Sequence, residues 1–196
     1  VRDVELSYDA GADAFGMIFA PSQRRITFEA AEQIARSAPP GITPVGVFVD
    51  PSASEVARFR EVFPNALVQL CGNESPAFVR ELGDGVIKAV HVGAGDAAAV
   101  AASFLRFAPA LVLLDTKRAG AYGGTGETFP WEIVAAPARW HPVLIAGGLT
   151  PENVGACVRA IRPFGVDVRS GIESGGRKDV EKMQRFVRAV RENDVT

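Results

Sequence analysis

Along the chain, short runs of apolar residues alternate with longer stretches in which apolar positions recur every three or four residues. The short runs are AFGMIF (14–19), PVGVFV (44–49), ALVQLC (66–71), GVIKAV (85–90), ALVLLD (110–115), HPVLIAGG (141–148) and GVDVRSG (165–171). Most are continuously apolar, the pattern of parallel strands buried on both faces. The intervening stretches predict helices over 27–37, 52–62, 75–82, 96–107, 129–140, from 150 onward, and 178–193. Thr27, Ser52 or Ser54, Ser75 with Pro76, and Thr150 with Pro151 are expected as their starts. Pro137 interrupts the helix over 129–140. Val180, Met183, Phe186, Val187 and Val190 give the last helix a single apolar stripe.

Seven strand–helix units therefore follow one another, preceded by the helical segment VRDVELSYDAGA. Such alternation fits a doubly wound sheet or a barrel. No glycine pattern of the dinucleotide type follows the first strand. Seven strands after a leading helix predict an α/β fold, a (β/α)8 TIM barrel with strands 2–8 visible and strand 1 absent from these 196 residues. One domain spanning 1–196 is expected, since no linker divides the chain. The same reading predicts an intact gene product with about ten further N-terminal residues and a short strand ending in Cys-Gly.

Composition narrows the class rather than the fold. A content of 47% hydrophobic and 22% charged residues is that of an ordinary globular protein. Net charge is −2 and the basic residues are dispersed, which argues against nucleic acid as a partner. No apolar run is long enough for a membrane span. Cys71 and Cys157 lack metal-ligand or disulfide-framework spacing, so free thiols and a cytoplasmic location are expected.

In a barrel, chemistry sits at the carboxyl ends of the strands. Those ends carry Arg24 and Arg25, Asp50, Cys71, His91, Asp115, Gly147 with Gly148, and Ser170 with Gly171. Asp115 follows a run that demands burial, and a partly desolvated carboxyl can donate a proton; a cap or a loop-holding hydrogen bond is the structural alternative. The turns at Gly147–Gly148 and Ser170–Gly171 fall after the last two strands, where barrels often bind phosphate. Tight packing alone would also explain the glycines. Either Arg24 or Arg25 could grip a carboxylate. Cys71 reads as a buried filler, Asp50 serves equally as a cap before the third helix, and a lone His91 implies no metal site.

The segments GADAFGMIF, PSQRRI, VGVFV, VQLCG, LVLLDTKRAGAYGGTGETFPWE, PVLIAGGLTPENV, GVDVRSGIE and KDVEKMQRFVRAVR together resemble phosphoribosylanthranilate isomerase, over essentially the whole chain. The resemblance implies a phosphoribosyl substrate, N-(5′-phosphoribosyl)anthranilate, and an Amadori rearrangement without cofactor or metal. It implies Asp115 as general acid, Arg24 on the anthranilate carboxylate, and Gly147, Gly148, Ser170 and Gly171 around the phosphate. Asp167 matches an acidic position near the sugar phosphate. The family's base is a cysteine on the first strand, in a segment with no counterpart here, and its VQLHG histidine is replaced by Cys71. Monomer and homodimer remain open.

Two other readings fit parts of the pattern. A related barrel such as indole-3-glycerol-phosphate synthase would show a lysine–glutamate set at strand ends; Lys88 lies within a strand run without one. A non-catalytic phosphometabolite-binding barrel would keep the glycine turns but not turn over substrate.

Overall fold

A computed structural model describes residues 1–92, 97–108, 110–116, 131, 134 and 141–194. The loop after Asp115 and most of the helix expected over 129–140 lie outside the described residues. The chain divides into two compact units, Val1–Ala89 and Val90–Thr196.

The first unit runs α1 (Arg2–Asp9), β1 (Ala14–Ile18), α2 (Phe28–Ser37), β2 (Thr43–Phe48), α3 (Ala53–Val62), β3 (Leu67–Leu70) and α4 (Pro76–Glu81), then enters β4 (Val86–Val92). β1 to β4 lie side by side in chain order and pair in parallel. Each helix returns the chain to the start of the next strand, as parallel pairing requires. The helices begin where short polar side chains satisfy free backbone donors: Thr27 accepts from the Ala30 amide and Ser75 from the Phe78 amide, at 3.2 and 3.1 Å. Ser52 and Glu55 form a reciprocal capping box. Asp50 is therefore not the cap of α3; its φ is 46° and its Oδ1 accepts from the Asn73 amide at 2.6 Å.

Apolar parity decides what this unit buries. Phe19 stacks on Phe48 at 5.0 Å between centroids, and both meet the edge of Phe59 from α3. Gly46 leaves room for those rings, since a Cβ there would lie 2.7 Å from both Phe48 and Phe59. In the same row of the sheet, Phe48 pairs with Leu70 and Leu70 with Lys88. A lysine thus occupies a core position, only 3% exposed.

Lys88 is tolerated there because its charge is fully answered. Its ammonium donates to the carbonyls of Leu70, Gly72 and Ala89, at 3.2, 2.9 and 2.9 Å. Glu74, 7% exposed, brings Oε2 to 2.9 Å from the same nitrogen. With the ammonium's three protons aimed at carbonyls, that oxygen gains charge attraction rather than a well-directed hydrogen bond. Glu74 Oε1 accepts from the Asp50 and Gly72 amides, at 2.9 and 3.0 Å. Burial alone would raise the Glu74 pKa. The Lys88 ammonium and backbone donors outweigh it, and the pKa is lowered.

The second unit contains α5 (Ala97–Phe107), β5 (Leu111–Thr116), β6 (Val143–Ile145), α6 (Val154–Ile161), β7 (Gly165–Val166), a 3-10 turn (Ser170–Ile172), a hairpin of β8 (Glu173–Ser174) and β9 (Arg177–Lys178), and α7 (Val180–Asn193). β5, β6 and β7 pair in parallel. Three expectations need correction. The run 165–171 yields a strand of only two residues, because after Asp167 the chain turns into the 3-10 segment. The sixth helix starts at Val154 rather than at 150; Thr150 Oγ1 still accepts from the Glu152 amide at 3.3 Å, in the turn that precedes the helix. In α7 the stripe is carried by buried Met183 and Phe186, whereas Val180, in the first helical position, is 42% exposed. Asp179 caps that helix, accepting from the Lys182 amide at 3.1 Å. Among the described residues, no helix is long and apolar enough to cross a membrane.

Replacing Lys88 with Met should strand the Glu74 carboxylate in the core. A loss of about 3–5 kcal/mol is expected, the usual cost of breaking a buried pair from one side, and urea unfolding measures it. The pH dependence has a defined sign. Because the folded pKa of Glu74 is depressed, its stabilisation is present above the unfolded value near 4.5 and is lost as pH falls through the folded value. Unfolding curves between neutral pH and pH 3 should show this loss in the parent protein, and Glu74→Gln should lack that contribution.

Candidate active site

The carboxyl end of β5 answers how a buried strand comes to end in an acid. Val112, Leu113 and Leu114 are buried, and Asp115 is half-buried. Leu114 pairs with Ile145, and Ile145 with Val166. The Ala146 amide donates to the Leu114 carbonyl and the Asp167 amide to the Ile145 carbonyl, both at 2.8 Å, so the ladder continues one residue further. Asp115, Ala146 and Asp167 consequently form one row across three strands and face the same side. Adjacent strands are about 4.8 Å apart, which puts the two aspartate Cα atoms roughly 10 Å apart with only an alanine methyl between them.

Asp115 also leans on the first glycine turn. Gly147 and Gly148 have φ values of 85° and 67°, the left-handed region in which a side chain is strained. A Cβ on Gly147 would sit 2.5 Å from Asp115 Oδ1 and against Thr116 as well. The second turn closes on the first: a Cβ on Gly171 would fall inside the Leu149 carbonyl oxygen and 3.1 Å from Thr150 Cα. Asn153 fastens the first turn from behind, accepting from the Thr150 amide at 2.8 Å and donating to the Gly148 carbonyl at 2.9 Å. Ser170 is exposed at the start of the 3-10 turn.

The electrostatics of the row are uneven. The Asp167 side chain keeps an open surface but lies in a recess crowded by protein atoms. Loss of water raises its pKa first, and the negative charge of Asp115 raises it further. Lys178 and Arg169 pull the other way. Lys178 Nζ is itself paired with Glu173 at 3.2 Å and donates to the Arg169 carbonyl at 3.4 Å.

The second unit thus brings together six of the residues expected from sequence: Asp115, Gly147, Gly148, Asp167, Ser170 and Gly171. Arg24 belongs to the first unit, exposed on the segment after β1. That segment is pinched shut where the Ile26 amide donates to the Ile18 carbonyl, and Ser22 Oγ accepts from the Arg24 amide. Arg25 lies close enough to Glu55 of α3 to help lower its pKa, behind the hydrogen bonds from Ser52. Both arginines are exposed on this segment. Cys71 is half-buried and its Sγ accepts from Gln69 Nε2 at 3.3 Å. Cys157 is buried in α6, where desolvation pushes its thiol pKa up to about 12. No group of three His, Cys, Asp or Glu side chains able to hold a metal occurs among the described residues.

Sequence reasoning missed Asn153, Ala146 and the Lys88–Glu74 pair. Asn153 was detectable as a preferred cap residue directly before an apolar helical run. Ala146 carries no chemical signal of its own and matters only through the register.

Comparison with known proteins decides what this rim belongs to. The family model for N-(5′phosphoribosyl)anthranilate (PRA) isomerase matches residues 1–189. The chain belongs to the N-(5′-phosphoribosyl)anthranilate isomerase family. Its similarity to the family's enzyme from Magnetococcus marinus is 42% identity over 193 residues, covering 97% of this chain and 90% of the relative. The crystal structure of the isomerase from Thermotoga maritima is 34% identical, with a TM-score of 0.86 over 97% of this chain and 94% of that one. A further structure of a phosphoribosyl anthranilate isomerase, in complex with reduced 1-(o-carboxyphenylamino)-1-deoxyribulose 5-phosphate, is 31% identical with a TM-score of 0.81, covering 97% of this chain and 93% of that one. This isomerase fold is the α/β barrel class that the strand–helix alternation predicts.

Gly171→Ala should force the two turns apart, because the obstacle is backbone and cannot swing aside. A destabilisation of about 1–3 kcal/mol is expected from overpacking, read from urea unfolding. Gly41→Ala is the control for left-handed strain alone, since at φ 93° nothing lies within 4 Å of an added Cβ; it should cost about 1–2 kcal/mol.

Proposed function

We propose that this chain converts N-(5′-phosphoribosyl)anthranilate to 1-(o-carboxyphenylamino)-1-deoxyribulose 5-phosphate, an Amadori rearrangement in tryptophan biosynthesis, by acid–base catalysis in the cytoplasm. The observation that carries the reading is the half-buried Asp115, laid over the backbone of Gly147 beside two glycine turns that close on each other. A sugar phosphate anchored at the turns would present its ring to that carboxyl group.

The chemistry follows from the substrate. The ribose C1′ carries both the ring oxygen and the anthranilate nitrogen. Protonation of the ring oxygen by Asp115 lets the C1′–O bond break, while the nitrogen lone pair forms the Schiff base. Loss of the C2′ proton then gives an enolamine, which becomes the ketone product. Asp115 is assigned the first proton transfer; the C2′ proton falls to the cysteine base that the family resemblance implies. Gly147, Gly148, Ser170 and Gly171 hold the phosphate, for which backbone amides in tight turns are suited. Asp167 lies toward the sugar. Arg24 binds the anthranilate carboxylate, a role supported by its exposure and by the family resemblance of its segment.

Two substitutions test the roles separately. Asp115→Asn should leave unfolding unchanged and lower kcat on the order of 10²-fold or more, the scale of general acid catalysis. Near-parental turnover would remove Asp115 from the mechanism. Arg24→Ala should act mainly on KM, raising it on the order of 10-fold or more for the loss of a charge-assisted contact, whereas Arg25→Ala should leave KM within about 2-fold. Equal effects of the two arginine variants would reverse the assignment.

A further inference from the structure

Beside Asp115 stands a hydroxyl that the fold shields and does not use. Thr116 is the last residue of β5, and its Oγ1 is closed off from solvent with no hydrogen-bond partner among the described residues. Buried polar side-chain atoms are in the large majority paired, so an exception asks for a reason. We propose that Thr116 is a positioning residue for the proton transfer, its hydroxyl donating to the Asp115 carboxylate as that group gives up its proton. The inference deepens the reading of Asp115 as the acid and rests on it.

The geometry brings both side chains to one point. The place that a Cβ on Gly147 would take lies 2.4 Å from Thr116 Oγ1 and 2.5 Å from Asp115 Oδ1. Successive residues of a strand point to opposite faces and do not ordinarily share a neighbour. These two do, because β5 ends here and the left-handed turn at Gly147 has no side chain to keep them apart. The hydroxyl oxygen of Thr116, and not its methyl carbon, is the atom nearest that point. For packing alone, valine would fill the same volume without stranding a polar atom.

The two groups are not hydrogen-bonded to each other in the structure. Turning the hydroxyl and rocking the carboxylate about its broad terminal torsion can join them. An ionised carboxyl group has about four lone-pair sites, so it takes this donor in addition to the contacts it already has. The timing follows from the chemistry. As the ring oxygen takes the proton, the electron pair of the O–H bond stays on Asp115, and negative charge grows there. A hydrogen bond to an ionised acceptor is about twice as strong as one to a neutral acceptor. The Thr116 hydroxyl therefore stabilises the transition state more than the bound substrate, which raises kcat and leaves binding alone.

The test is Thr116→Val, which removes the hydroxyl and keeps the volume, made in the full-length enzyme alone and together with Asp115→Asn. Alone, it should lower kcat about 10-fold, the scale of a hydrogen bond to a charged group. KM should stay within about 2-fold, the pattern of an interaction made only in the transition state. The urea midpoint should be unchanged or higher, since a stranded hydroxyl has been removed. Thr116→Ser restores a hydroxyl and should recover most of the lost rate. In the Asp115→Asn background there is no carboxylate to stabilise, and Thr116→Val should have no further effect. Parental kcat in Thr116→Val overturns the proposal. An equal loss in both backgrounds also overturns it, because the hydroxyl then acts on something other than Asp115. So does a loss that accompanies a lowered urea midpoint and is not recovered by Thr116→Ser. Parental turnover in Asp115→Asn overturns the acid assignment itself, and this proposal with it.

Discussion

In a parallel ladder, the side that a residue faces is set by its parity along the strand, and a slip of one position would turn every side chain over. The site depends on that constraint. Leu113 and Asp115 share a face because they are two residues apart. Leu113 is buried deeper in the strand, and Asp115 stands where the strand ends. The same register sets Ala146 and Asp167 beside it. No local preference of an aspartate produces this row. It follows from the buried apolar strands β5 and β6, onto which the short β7 is laddered through Val166 and the Asp167 amide.

The first unit uses the same rule to an opposite end. There the helix-facing row Phe48–Leu70–Lys88 carries a charge into the core. Burying an ammonium is costly unless every proton is accepted and the charge is balanced. The carbonyls of Leu70, Gly72 and Ala89 and the Glu74 carboxylate meet both conditions. The pair ties together the segments following β2 and β3, because Glu74 also takes the Asp50 and Gly72 amides. A lysine–glutamate pair near strand ends was the feature expected of a synthase-type rival. With its ammonium committed to backbone carbonyls, this pair serves structure.

Much of this was legible in sequence wherever the information is local. Thr27, Ser52 and Ser75 cap their helices because a short hydroxyl next to free amides needs no tertiary partner. Continuous runs of Val, Leu and Ile read as strands for an equally local reason. Thr150 also acts locally, its Oγ1 accepting from the Glu152 amide while Asn153 Oδ1 accepts from the Thr150 amide, although the regular helix begins only at Val154. The errors lie where distant contacts decide. Asp50 looked like a cap until the Asn73 amide, 23 residues away, claimed its carboxylate. Lys88 was visible only as an interruption of an apolar run, since its partner Glu74 lies on another loop. GVDVRSG promised seven strand residues and delivered two, because its polar residues belong to the rim rather than the ladder.

The glycines of the rim show why residue type alone does not reveal function. Gly147 has a left-handed backbone, and its missing side chain also makes room for Asp115 and Thr116. Gly171 needs no unusual φ; it is required by space, since the Leu149 carbonyl occupies the place of a Cβ. The first glycine shapes its own turn, and the second lets another segment approach. Together they join two loops that follow different strands into one backbone surface, against which Asp115 is held. Anion-binding capacity in such a surface comes from peptide groups, whose identity the sequence does not encode. The sequence encodes only the absence of side chains that would keep those peptide groups apart.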